Sequence, residues 1–266
     1  MKLAAIYNVF DSEELIQESI NSIRDNVDMV IVVYQQVSNF GINQKIDLKS
    51  FLQETSGIDI LQEYDTDLSK PCHYNEFRKR VIGAKIASDN QCTHFLFMDC
   101  DENYDSEKFR KAKNTIEENE CDSSCCEIED YYKFRNLKII SSEPIYVPFI
   151  HKLQKGITKF GLDMNYPLIV DKTRKTLPVD KFKLFKPEEI IMKHYTWIRK
   201  DPESKLMNST ARHSYDPFLK QIIEEFNNFK INDQVCRLQT NVLVPESLTK
   251  KVIIPYNFKK VKTEIL

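Results

Sequence analysis

Apolar and polar residues follow two periods along the first half of the chain. KLAAIYNVF (2–10), MVIVVY (29–34), IDILQEY (58–64) and THFLFMD (93–99) are short and rich in apolar residues, and MVIVVY and THFLFMD run almost unbroken. Continuous apolar runs of that length mark strands covered on both faces. Between them the period lengthens. Leu15, Ile16, Ser19, Ile20 and Ile23 recur at helical spacing behind Asp11, a candidate N-cap with Glu14 placed to complete a capping box. Residues 74–88 form a second helical pattern with Phe77, Val81 and Ala84 as the apolar face, and 106–118 a third with Phe109, Ala112 and Ile116. Strands alternating with helices predict a parallel sheet wrapped by helices, with ligands beyond the carboxyl ends of the strands.

The second half reads differently. SCCEIEDYYKF, LKIIS, IYVPFI and PLIVD are short strand candidates separated by Pro and polar turns. IIMKHYTW leads into a helix, and 216–230 is an amphipathic helix with Phe218, Ile222, Phe226 and Phe229 inward. The expected organisation is one α/β domain over 1–212 and a helical C-terminal extension over 213–266 packed on it.

A net charge of -2 gives no field that selects nucleic acid. No apolar run is long enough to span a bilayer, and Asn8 and Asp11 interrupt the first one too early for a signal peptide. Seven cysteines without a framework spacing are expected as reduced thiols of a cytoplasmic protein. CDSSCC (121–126) lacks the second pair that a structural zinc site needs.

The candidate chemistry lies in MDCDENYD (98–105), where a buried strand runs into acids. Asp99 and Asp101 are two apart, so an extended chain turns both to one side. Carboxylates suit Mg²⁺ or Mn²⁺, whose shell substrate phosphates commonly complete. An EF-hand is excluded, because Tyr104 and Arg110 stand where the loop needs Gly and a bidentate Glu. A phosphohydrolase with Asp99 as nucleophile also fits the pattern. So does a plain turn, and Asp105 with Ser106 is the expected cap of the next helix.

The order strand, helix, strand, strand, helix, strand, Asp-x-Asp resembles the GT-A fold of nucleotide-diphospho-sugar glycosyltransferases. IYNVFDSEELIQESINSI, NEFRKRVIGAKIAS and MKHYTWIRKDPESKLMNSTA resemble three further segments of it. The chain resembles a family-2-like set of bacterial and viral enzymes with MDCDE and HY motifs, and the likeness covers about 1–212. The resemblance implies a Rossmann-like, mostly parallel sheet and a metal-dependent transfer of sugar, from a UDP-sugar by expectation, to a glycan hydroxyl. It implies Asp101 and His194 as Mn²⁺ or Mg²⁺ ligands, with Asp99 on the metal or the ribose. Arg80 is placed near the base or diphosphate, although Val81 stands where Asn is usual. Tyr7, Asn8, Val9 and Asp11 are placed beside the base, and Gln35 where the family carries an Asp for uracil. Asp130 or Glu129 is the expected catalytic base. A sugar-nucleotide-binding protein without activity is the non-enzymatic alternative. Lys259, Lys260 and Lys262 are the candidates for a peripheral membrane contact.

Overall fold

The computed structural model describes residues 1–11, 13–139, 144–210, 212 and 219–230, with the backbone of 234–237 and 259–265. The chain divides into two compact units, Met1–Asp130 with Glu143–Thr196, and Tyr131–Ser142 with Trp197–Leu266.

The first unit has mixed α/β architecture around a mostly parallel sheet, as expected. β1 (Leu3–Val9), β2 (Met29–Tyr34), β3 (Ile60–Glu63) and β4 (His94–Asp99) pair in the order β3-β2-β1-β4, all parallel. The chain steps outward from β1 to β3, then returns to the other side of β1 as β4. That reversal makes the gap between the carboxyl ends of β1 and β4 a topological switch point, the usual place for a ligand crevice. Asn8 is paired with Asp99 across it. Beyond β4 the sheet continues antiparallel through β8 (Tyr146–Lys152) to β6 (Ser123–Tyr132). The two-residue β5 (Glu102–Asn103) pairs with the late strand β12 (Ile191–Trp197).

Alternate residues of β1 feed two cores. Leu3, Ala5, Tyr7 and Val9 join α1 (Glu13–Ile23) and α4 (Ser106–Glu118), whereas Ala4 and Ile6 join α3 (Cys72–Asp89). In α4 the expected face is the buried one: Phe109, Ala112 and Ile116. Its predicted cap also holds, because the Asp105 carboxylate accepts from Lys108 N at 2.9 Å. Helix α1 starts at Glu13, directly after Ser12, which lies outside the described residues.

Helix α3 departs from its pattern. Its buried residues are Asn75, Lys79, Arg80, Gly83, Ala84 and Ala87, while Phe77 and Val81 are only half-buried. Gly83 brings it close to the sheet: a Cβ there would stand 2.2 Å from Ile6 Cγ2. A short α2 (Leu48–Glu54) lies before β3.

PLIVD (167–171) is not a strand, and Ile169 is 81% exposed. Asp171 accepts from Thr173 N at 2.8 Å, turning the chain into a 3-10 turn over Lys172–Arg174. The turn follows β9 (Lys159–Phe160) and precedes β10 (Thr176–Leu177), which pair antiparallel. β11 (Phe182–Leu184) then runs parallel to β6.

The second unit holds the end of β6, β7 (Leu137–Ile139), α5 (Pro202–Asn208) and α6 (Leu219–Asn228). Tyr132, Trp197, Phe226 and Phe229 pack together, with ring centroids 5.0–6.3 Å apart, and Trp197 is the half-buried member of the cluster. Ile222, Phe226 and Phe229 are the buried side of the last helical segment as predicted; Phe218 lies outside the described residues. The tail is not wholly helical: β13 (Gln234–Arg237) and β14 (Lys259–Ile265) pair antiparallel, and β14 pairs with β7. The side chains of Lys259, Lys260 and Lys262 lie outside the described residues. Among the described residues no helix is long and apolar enough to cross a membrane.

Candidate active site

The tip of β4 turns sharply, and its own acids hold the turn. Glu102 folds back so that its carboxylate accepts from Asp99 N at 3.0 Å. Asp101, 1% exposed, offers its carbonyl oxygen to Tyr195 N at 2.7 Å. The pairing of β12 with β5 sets His194 opposite Glu102, so backbone register carries an imidazole to the Asp-x-Asp turn from 92 residues away.

His194 stands between two carboxylates. Its Nδ1 is 2.8 Å from Asp130 Oδ1, and its Nε2 is 3.8 Å from Asp101 Oδ1. Burial works against the charged imidazole, but Asp101 and Asp130 outweigh it and raise its pKa above the ordinary histidine value. Asp130 on Nδ1 leaves Nε2 directed toward Asp101, an arrangement that orients a histidine for a cation.

Asp99 is differently placed. Arg80 Nη2 lies 3.2 and 3.4 Å from its two oxygens, and Arg174 Nη2 lies 2.7 Å from Oδ2. Arg174 also forks onto Glu102, with Nη1 3.1 Å from Oε2 and Nη2 bonded to Oε1, and it donates to the Phe97 carbonyl at 3.2 Å. Burial pushes the Glu102 carboxyl up while the Arg174 guanidinium pulls it down, and the net shift is upward. Arg80 donates through Nε to Thr173 Oγ1 at 3.1 Å and through Nη2 to Glu76 at 3.0 Å. Burial, with Asp171 adding to it, raises the Glu76 carboxyl.

The residues expected to line a nucleotide divide into two groups. Asn8, Arg80, Asp99, Asp101, Asp130 and His194 come together around the switch point. The side chains of Tyr7 and Val9 are fully buried, and the Tyr7 hydroxyl is 3.0 Å from Ser19 Oγ, so the Tyr7 ring belongs to the core, which leaves only the backbone of these two residues to face a base. Gln35 is buried at the end of β2, with Nε2 on Asn39 Oδ1 at 3.1 Å. Asp11 is half-buried just beyond β1. Glu129 alternates with Asp130 along β6 and so points to the opposite face of that strand.

Arg174, Glu102 and Thr173 were not anticipated. Glu102 stood inside the quoted motif, but Arg174 lies in a lysine-rich stretch that reads as solvated loop. Only its 3% exposure reveals its use.

Mn²⁺ or Mg²⁺ fits part of this donor set. The Asp101 carboxylate and His194 Nε2 are near enough to share a cation, with Asp130 orienting the imidazole, whereas the Asp99 oxygens face arginines. Among the described residues no group of three or more His, Cys, Asp or Glu could hold a metal ion, so substrate oxygens or water would complete its shell.

No family model and no curated protein matches the chain. Among solved structures, S. aureus TarS 1-349 is 15% identical, with a TM-score of 0.46 over 86% of this chain and 71% of that one. Its complex with UDP-GlcNAc is 14% identical, with a TM-score of 0.45 over 86% and 72%. A longer TarS chain is 16% identical, with a TM-score of 0.46, and this protein covers 43% of it.

Proposed function

We propose that this protein is a GT-A-type glycosyltransferase that moves a sugar from a nucleotide diphosphate, a UDP-sugar by preference, to a glycan hydroxyl. The observation that carries the reading is the switch-point cluster. Asp99 and Asp101 end a central strand beside β1, and Arg80 and His194 converge on them from distant segments. The sequence resemblance assigns the same positions to a sugar nucleotide.

In this reading the guanidinium of Arg80 faces the diphosphate. Its Nη1 is buried and, among the described residues, has no hydrogen-bond partner. Asn8 Oδ1, paired across from Asp99, is likewise unmatched. Asp101 and His194 would hold the Mn²⁺ or Mg²⁺, which when bound neutralises charge on the departing diphosphate. Asp130 holds His194 and is the carboxylate on this face that can take the acceptor's proton. Displacement then breaks the bond from the anomeric carbon to the diphosphate and forms one to the acceptor oxygen. The phosphohydrolase alternative needs Asp99 as a nucleophile. Both Asp99 oxygens meet arginine donors, which favours the transferase.

Thermal melting against UDP-, GDP- and other nucleotide sugars, with Mn²⁺ or with chelator, tests the reading, because a ligand of the native state raises Tm. The expected result is a rise with one nucleotide sugar that Asp101→Ala and chelator both reduce. Selective binding with neither transfer nor hydrolysis would instead make the chain a binding protein. No shift across the panel would sink the reading.

A further inference from the structure

Helix α3 buries a lysine that its own fold does not use. Lys79 is 4% exposed and sits on the inward stripe between Asn75 and Arg80. Among the described residues its ammonium makes no hydrogen bond or ion pair, whereas the two buried arginines of this region have them: Arg80 has Glu76 and Asp99, and Arg174 has Asp99 and Glu102. The charges whose fields act on Lys79 are Glu76, Arg80, Asp99 and Asp11. Asp99 ends β4 and Asp11 follows β1, so the ammonium belongs to the carboxyl edge of the sheet, where Arg80 Nη1 is also unmatched. The unmatched Nη1 of Arg80 is buried, and the Lys79 ammonium beside it has no ion pair among the described residues, so two spare donors stand at a switch point, chemistry that suits an anion.

We propose that Lys79, together with the unmatched Nη1 of Arg80, binds a phosphate group of the ligand. This deepens the nucleotide-sugar reading and rests on it for the identity of that phosphate. The cost of holding an unpaired ammonium fits the assignment. Burial pushes its pKa down to about 8, as expected for a cation that lacks its counter-ion until ligand arrives. A lysine kept only for packing would be replaced by Met without loss of binding, and its aliphatic stem alone would suffice.

Calorimetric titration of wild type, Lys79→Met and Lys79→Arg with UDP, uridine and inorganic pyrophosphate tests the assignment. Melting curves of the same three proteins report whether each variant folds. The expected result is a roughly ten- to hundredfold loss of UDP and pyrophosphate affinity in Lys79→Met, the scale of one charge-assisted hydrogen bond. Its Tm is not lowered, uridine affinity is unchanged, and Lys79→Arg recovers part of the loss. Unchanged pyrophosphate and UDP affinity in Lys79→Met overturns the assignment, as does a loss that extends equally to uridine. A wild type that binds neither UDP nor pyrophosphate overturns it too. Pyrophosphate binding that depends on Lys79, without binding of any nucleotide, keeps the phosphate site and removes the nucleotide-sugar reading.

Discussion

Helices α3 and α4 both cover the sheet of the first unit, and they obey different rules. In α4 the apolar stripe is the buried stripe, with Phe109, Ala112 and Ile116 against the sheet and charges outside. In α3 the buried stripe is Asn75, Lys79, Arg80, Gly83, Ala84 and Ala87, polar in its first half, and Phe77 is left half-buried. Helix α4 is there to close a core. Helix α3 gives the first half of its inward face to donors at the strand ends and the second half to the core, where a glycine brings it close to the sheet. Local sequence logic fails where a site replaces a core.

The largest effect that sharpens this contrast is expected at Arg174, the cation that completes the polar layer facing α3. Arg174→Met leaves Glu102 buried without its partner, and the expected destabilisation is about 3–5 kcal/mol by denaturant unfolding. Adding Glu102→Gln is expected to recover part of it. If the single change is neutral, the cluster is not buried as described.

In α4, Phe109→Ala is expected to cost about 3–4 kcal/mol through the cavity it leaves, without altering nucleotide binding. Lys79→Met in α3 is expected to have the opposite sign. Its folded pKa of about 8 lies below the ordinary 10.5, so between those values the unfolded chain holds a proton that the folded chain has released. Wild-type stability therefore rises with pH across that window and lacks this contribution below it, by roughly 3 kcal/mol. The gap between Lys79→Met and wild type, measured by urea unfolding at pH 7 and again near pH 10, is expected to narrow as pH rises. A constant gap would remove the contrast.

Gly83→Ala places a methyl where Ile6 Cγ2 already stands. The expected cost is about 1–3 kcal/mol, with weakened ligand binding because Arg80 moves with its helix. The smallest effect belongs to α4 again. Asp105→Ala removes the cap on Lys108 N and is expected to lower stability by about 1 kcal/mol with no change at the site.

The sequence by itself determined the four parallel strands, the helices α1, α3 and α4 that cover them, and the class of sheet. Unbroken apolar runs such as MVIVVY and FLFM can be satisfied only between two layers, and alternation with helices leaves a parallel sheet. It also located the acids at the end of β4 and singled out Asp130 and His194, though not that the two bond to each other. Tertiary structure decided the rest. His194 reaches Asp101 through the β5–β12 pairing, a register that no local pattern encodes. Arg174 reaches Asp99 because Asp171 turns an expected strand into a 3-10 turn. Tyr7, placed beside the base by the resemblance, has its ring on the face of β1 that enters the core. Period and propensity are properties of neighbours along the chain. A charge network is assembled from segments 19 to 93 residues apart, and only the packed sheet decides which of them meet.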